Sequence, residues 1–65
     1  MNNKLLNEVL SLSQKLILKW VSEGNDVKSS SDSVLEVVKE YMNPNNPNTE
    51  DVKECILGLK QLLTV

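Results

Sequence analysis

The chain contains three stretches in which apolar residues recur every three or four positions, separated by short polar stretches without such a repeat. The first stretch predicts an amphipathic helix over about residues 3–23, because apolar side chains three, four and seven positions apart share one face of a helix. Gly24 and Asn25 follow it and are typical of a left-handed helix stop. The sequence therefore predicts a long first helix that ends before Asn25.

A serine-rich stretch over residues 25–31 predicts a loop between the first helix and a second helix over about residues 32–43. Ser33 and Glu36 fit a capping box, in which the two side chains satisfy amide groups at the start of a helix. The second helix is expected to end before Pro44, because proline disfavours helical geometry at the residue that precedes it.

Asn-Pro-Asn occurs twice within residues 43–48 and predicts a rigid turn. A third helix is expected over about residues 49–63, where Glu50 and Asp51 would stabilise the positive end of the helix dipole. Gly58 lies inside this helix at a cost of about 1 kcal/mol relative to alanine. It is therefore a candidate for the close approach of another helix.

The predicted fold class is all-α, because no strand-like alternation of useful length appears in the sequence. Residues 1–65 are expected to form a single small three-helix domain, whose helices are joined by the serine-rich loop and the Asn-Pro-Asn turn. Short connections favour antiparallel packing of neighbouring helices.

The predicted first helix carries more apolar surface than one packing face needs. At 100° per residue its apolar positions cover about half of the circumference, whereas a core-facing stripe needs about 100°. One seam consists of Leu5, Val9, Leu12, Leu16 and Trp20, and a second consists of Leu6, Leu10, Ile17 and Val21. Two short helices readily cover the first seam. The second is therefore expected to contact a second copy of the chain or another protein.

The alternative is a monomer in which the other two helices flank the first on both sides and cover both seams. We favour a symmetric homodimer, since two-fold dimers are the commonest oligomers and small domains often need association for stability. The candidate interface residues are Leu6, Leu10, Ile17, Trp20 and Val21. Trp20 can serve either as a core residue or as an interface anchor, because tryptophan is enriched in binding hot spots.

The composition argues against catalysis. The 65 residues include no histidine, which is the commonest general acid–base, and Gly24 and Gly58 are the only glycines, so no phosphate-binding loop exists. One cysteine without histidine excludes an internal disulfide and a zinc site of the Cys/His type. Cys55 lies on the apolar stripe of the third helix and is predicted to be buried and unreactive. No enzymatic activity, cofactor or metal is expected.

The leading functional hypothesis is a small protein–protein interaction or regulatory module that acts through its exposed apolar helical surface as a homodimer. The alternative is a bacterial or phage regulator that binds nucleic acid through Lys4, Lys15 and Lys19, which form a modest stripe on the first helix. A net charge of −2 and the absence of arginine argue against nucleic acid as a partner. An acidic mimic of DNA ranks last, because the charge is too low.

The sequence also bears on the cellular location. The longest uninterrupted apolar run is residues 16–18, far shorter than the ~20 residues of a membrane span. Polar residues interrupt any signal-peptide core, and one free cysteine fits a reducing compartment. We therefore expect a cytoplasmic protein without membrane contact. The abundance of asparagine, lysine and leucine without alanine or arginine is typical of AT-rich bacterial or phage genes.

Overall fold

A computed structural model describes residues 3–65 and contains three α-helices in this range. Helix α1 is Asn3–Ser22, α2 is Val27–Tyr41 and α3 is Thr49–Thr64. Helix accounts for 81% of the described residues, and strands are absent from them, which confirms the all-α prediction. Each helix contacts the other two, and the bundle measures 35 × 21 × 17 Å.

Helix α1 ends in a Schellman motif. The Asn25 amide donates to the Trp20 carbonyl at 3.1 Å, and the Gly24 amide donates to the Val21 carbonyl at 3.0 Å. Gly24 has a φ of +100°, in the left-handed region that side chains with a Cβ disfavour. The predicted stop at Gly24 is therefore confirmed, and it turns the chain directly into α2.

Helix α2 begins at Val27, about five residues before the predicted start. Asp26 is its N-cap, and its carboxylate accepts a hydrogen bond from the Ser29 amide at 3.1 Å. The predictions of a serine-rich loop and of a cap at Ser33 were wrong, because residues 29–33 all lie inside the helix. The intrinsic penalty for serine in a helix is small, and Ser30 is buried against the rest of the bundle.

The start of α2 can be tested with two substitutions. Asp26→Ala is expected to lower the free energy of unfolding by about 1 kcal/mol, because it removes the N-cap. Ser33→Ala should be neutral or stabilise by a few tenths of a kcal/mol, because alanine is the better residue inside a helix. Urea denaturation followed by circular dichroism measures both. A larger loss of stability in Ser33→Ala than in Asp26→Ala would show that Ser33 is the N-cap.

The connection from α2 to α3 is held by asparagine side chains. The Asn43 side-chain oxygen accepts a hydrogen bond from the Asn45 amide at 2.9 Å. Asn48 then caps α3, because its side-chain oxygen accepts from the Glu50 amide, also at 2.9 Å. These bonds fix the direction in which α3 leaves the turn.

The C-terminal end of α3 is bonded to α1. The Lys19 ammonium group donates to the main-chain carbonyl of Leu62 at 3.0 Å, and it also reaches the carbonyls of Leu63 and Val65. A positive charge stabilises the negative end of a helix dipole and satisfies carbonyls that lack an intrahelical partner. Lys19 therefore holds the ends of α1 and α3 together.

The core is formed by all three helices and is built from ten buried apolar residues. They are Val9, Leu12, Leu16, Val34, Val38, Met42, Val52, Cys55, Ile56 and Leu59. The Tyr41 ring lies over Gly58, where an added Cβ would be 2.6 Å from the ring. Gly58 thus permits a close approach, as the sequence suggested, and the group that approaches is an aromatic ring of α2.

Candidate protein-interaction surface

An open apolar groove lies between α1 and α2 and has a volume of about 440 Å³. Its α1 side is formed by Leu6, Val9, Leu10, Ser13 and Ile17, and its other side by Ser31, Val34, Leu35, Val38, Met42 and Pro44. None of these side chains carries a charge. The groove therefore offers a partner an apolar surface with no ionic group to desolvate.

Three of the five predicted interface residues line this groove. Leu6 and Ile17 are half-buried and pack against the core, whereas Leu10 is 61% exposed. Val21 is half-buried and is not among the residues that line the groove. The fold thus covers part of the second seam and leaves Leu10 as its most exposed member.

The wall contributed by α2 was missed at the level of sequence. Leu35 is 48% exposed at the edge of the groove, opposite the α1 side chains. Val34 and Val38 form the buried floor beside it. In the sequence, Leu35 comes directly after the core residue Val34 and three residues before the core residue Val38. This spacing is the signal that could have placed Leu35 at the border of the buried face of α2.

The Ser13 hydroxyl in the groove needs no hydrogen-bond acceptor from a partner. The Ser13 hydroxyl donates to the carbonyl of Val9 at 2.7 Å, so its hydrogen is already used within the helix. Burial of Ser13 by a partner therefore leaves no hydroxyl donor unsatisfied.

The charged residues of α1 lie away from the groove. Glu8 is 3.5 Å from the Lys60 ammonium group of α3, and Lys19 donates to carbonyls at the end of α3. The ion pair is exposed and adds little stability. The Lys19 bonds withdraw one of the three lysines from the stripe that a nucleic acid would contact.

Trp20 lies in a separate, polar depression of about 300 Å³ at the junction of α1 and α2. The other lining residues are Glu23, Asn25, Ser29, Ser30 and Ser33. The indole is half-buried and packs against the core. The structure therefore separates Trp20 from Leu6, Leu10 and Ile17.

Cys55 is a free thiol on α3, and the structure confirms its predicted burial. Burial raises the pKa of the Cys55 thiol, because the thiolate would be poorly solvated in the core. Among the residues that the structure describes, no three histidine, cysteine, aspartate or glutamate side chains come together in a way that could hold a metal ion.

Comparison with models of protein families, with curated proteins and with solved structures yields no match to this chain. Within residues 3–65, no helix has both the length and the apolar character needed to cross a membrane.

Proposed function

We propose that this protein is a small, non-enzymatic protein–protein interaction module that forms a homodimer through the groove between α1 and α2. The observation that carries the proposal is Leu10, which is 61% exposed at an uncharged apolar groove. Contiguous exposed apolar surface is typical of interaction sites. The absence of charge matches the buried centre of protein interfaces, from which charged residues are depleted.

Association would also add stability that a single chain of this size lacks. A core of ten buried apolar side chains in a 65-residue bundle supplies only about 3–5 kcal/mol of net stability. Covering Leu10 and Leu35 with a partner removes further apolar surface from water. Because only the folded chain presents the groove, dimerisation shifts the folding equilibrium towards the native state.

The proposal is tested by comparing Leu10→Glu with Leu57→Glu in sedimentation equilibrium at micromolar concentration. The two leucines are a matched pair, because each is 61% exposed on a helix and only Leu10 lines the groove. The wild-type chain is expected to sediment at twice its 7.3 kDa mass. Leu10→Glu should raise the dimer dissociation constant more than about 30-fold, because it places a charge in a desolvated interface. Leu57→Glu should leave the dissociation constant nearly unchanged.

Helical circular dichroism controls for folding, since neither substitution touches a buried position. A wild-type chain that stays monomeric across the concentration range would overturn the homodimer. Equal weakening by both glutamates would show that the groove is not the contact surface.

A further inference from the structure

We infer that two copies of the chain pair α1 against α1 in antiparallel orientation, about a two-fold axis that passes between Ser13 and Gln14. The inference rests on the proposed homodimer and specifies its geometry. It follows from the spacing of the apolar residues at the outer edge of α1, from the placement of charge around α1 and α2, and from the length of α1.

The apolar residues at this edge of α1 are arranged symmetrically along the helix. Leu6 and Leu10 are separated by four residues, as are Ile17 and Val21, and seven residues separate the two pairs. The pattern reads the same in both directions about the midpoint of Ser13 and Gln14. Antiparallel pairing therefore places Leu10 opposite Ile17 of the second copy, and Leu6 opposite Val21. Each contact occurs twice, as a closed two-fold interface requires.

The centre of this apolar edge gives the direction in which the partner helix lies. At 100° per residue, Leu10 and Ile17 lie about 10° on either side of that direction, and Leu6 and Val21 lie about 30° on either side. The two-fold axis runs between the two α1 helices, perpendicular to the line that joins them. Leu10 is the most exposed of the four residues, and the other three are half-buried.

The positions of the charged residues differ between α1 and α2, and this difference indicates that α1 lies at the centre of the dimer. The charged residues of α1, which are Lys4, Glu8, Lys15 and Lys19, fall within a single arc of about 60° on the side away from the apolar edge. The positions beyond Leu10 on the outer side are Val21, Gln14 and Asn7, all uncharged. Those beyond Leu35 on α2 are Lys28, Lys39 and Asp32, all exposed.

This difference favours a second copy that is centred on α1. A residue near a two-fold axis meets its own counterpart, so a charge there would face a like charge at close range. The outer edge of α1 has no such charge, whereas the outer edge of α2 has three charged residues of both signs. The partner therefore lies over α1, and the charged edge of α2 remains at the polar rim.

The length of α1 allows an extended contact between the two copies. Helix α1 has 20 residues and runs about 30 Å. Antiparallel pairing about its middle lets the two copies contact each other along this length.

A cysteine cross-linking experiment tests the geometry in the full chain. Gln14→Cys places a thiol within one residue of the axis, whereas Asn7→Cys places a thiol at another exposed position on the same side of α1, about 10 Å from the axis along the helix. A bis-maleimide with a two-carbon spacer is added to each variant at a concentration where the wild type is dimeric. Wild-type chain is the blank, because buried Cys55 should not react.

Gln14→Cys is expected to give at least about ten times more covalent dimer than Asn7→Cys, because the two Asn7 positions lie about 20 Å apart in the antiparallel pair. Efficient cross-linking of both variants would indicate parallel helices and overturn the inference. A dimer by sedimentation without cross-linking at Gln14 would also overturn it, while leaving the proposed homodimer intact. A monomer by sedimentation would refute the proposed function itself.

Discussion

Leu16→Ala is expected to lower the free energy of unfolding by about 3 kcal/mol, which is most of the stability of a domain of this size. Leu16 has no exposed surface and lies in the core shared by the three helices. Truncation removes three heavy atoms from this packing and leaves a cavity that a small bundle cannot fully close. The measurement is urea denaturation at a fixed chain concentration, because dimerisation changes the apparent stability.

Leu18→Ala is the matched control for this experiment. Leu18 lies on the same helix, two positions away, and is 68% exposed. Its truncation is expected to change the free energy of unfolding by less than about 0.5 kcal/mol. Leu16→Met keeps the volume and should cost less than about 1.5 kcal/mol, so it remains folded if Leu16→Ala does not. Equal effects at positions 16 and 18 would contradict the orientation of α1.

The Cys55 thiol is expected to react with Ellman's reagent about 10²–10⁴ times more slowly in the native protein than in urea. These factors correspond to an opening free energy of about 3–5 kcal/mol, because the fully buried thiol is reached only when α3 separates from the bundle. The measurement is the rate of thionitrobenzoate release with and without denaturant. A native rate close to the unfolded rate would show that Cys55 is accessible in the folded chain.

The same burial predicts a dependence of stability on pH. Because the native pKa of the Cys55 thiol is raised, the unfolded chain loses the thiol proton first as the pH rises past about 8.5. The free energy of unfolding should therefore fall with pH from that point upward. Cys55→Val is the control, since it keeps an apolar side chain without the titrating proton. An equal decline in this variant would assign the effect to other groups.

Most of α1 and α3 could be predicted from the sequence, because the apolar repeats and the residues that start or stop these helices are local signals. The apolar repeat of α1 continues without a break until Gly24, and the Schellman motif depends only on residues close to that glycine. Asn48 and the acidic residues after it mark the start of α3 in the same way. Such signals do not depend on where the other helices pack.

The first turn of α2 could not be predicted because its apolar repeat is interrupted by serines. Val27 is exposed and Ser30 is buried, so polarity and burial are reversed at these two positions. The Ser33 and Glu36 pair resembles a capping box, although Asp26 is the actual cap. Tertiary packing outweighs the weak local preference of serine over residues 29–31.

The candidate surface was predicted in part. The excess apolar arc of α1 correctly indicated exposure at Leu10, because the width of the arc is a property of one helix. The position of α2 determines how much of the Leu6 and Ile17 side chains is buried. It also determines that Leu35 forms part of the groove wall. The separation of Trp20 from the groove depends on the same packing, which a helical wheel does not contain.

The contact between Tyr41 and Gly58 constrains how this protein can diverge. Any side chain at position 58 would occupy space that the tyrosine ring fills. Alanine or serine at 58 therefore requires the ring to rotate outward or to be replaced by a smaller group. In related chains these two positions should vary together, so that an aromatic residue at 41 accompanies glycine at 58 and is lost when the glycine is lost.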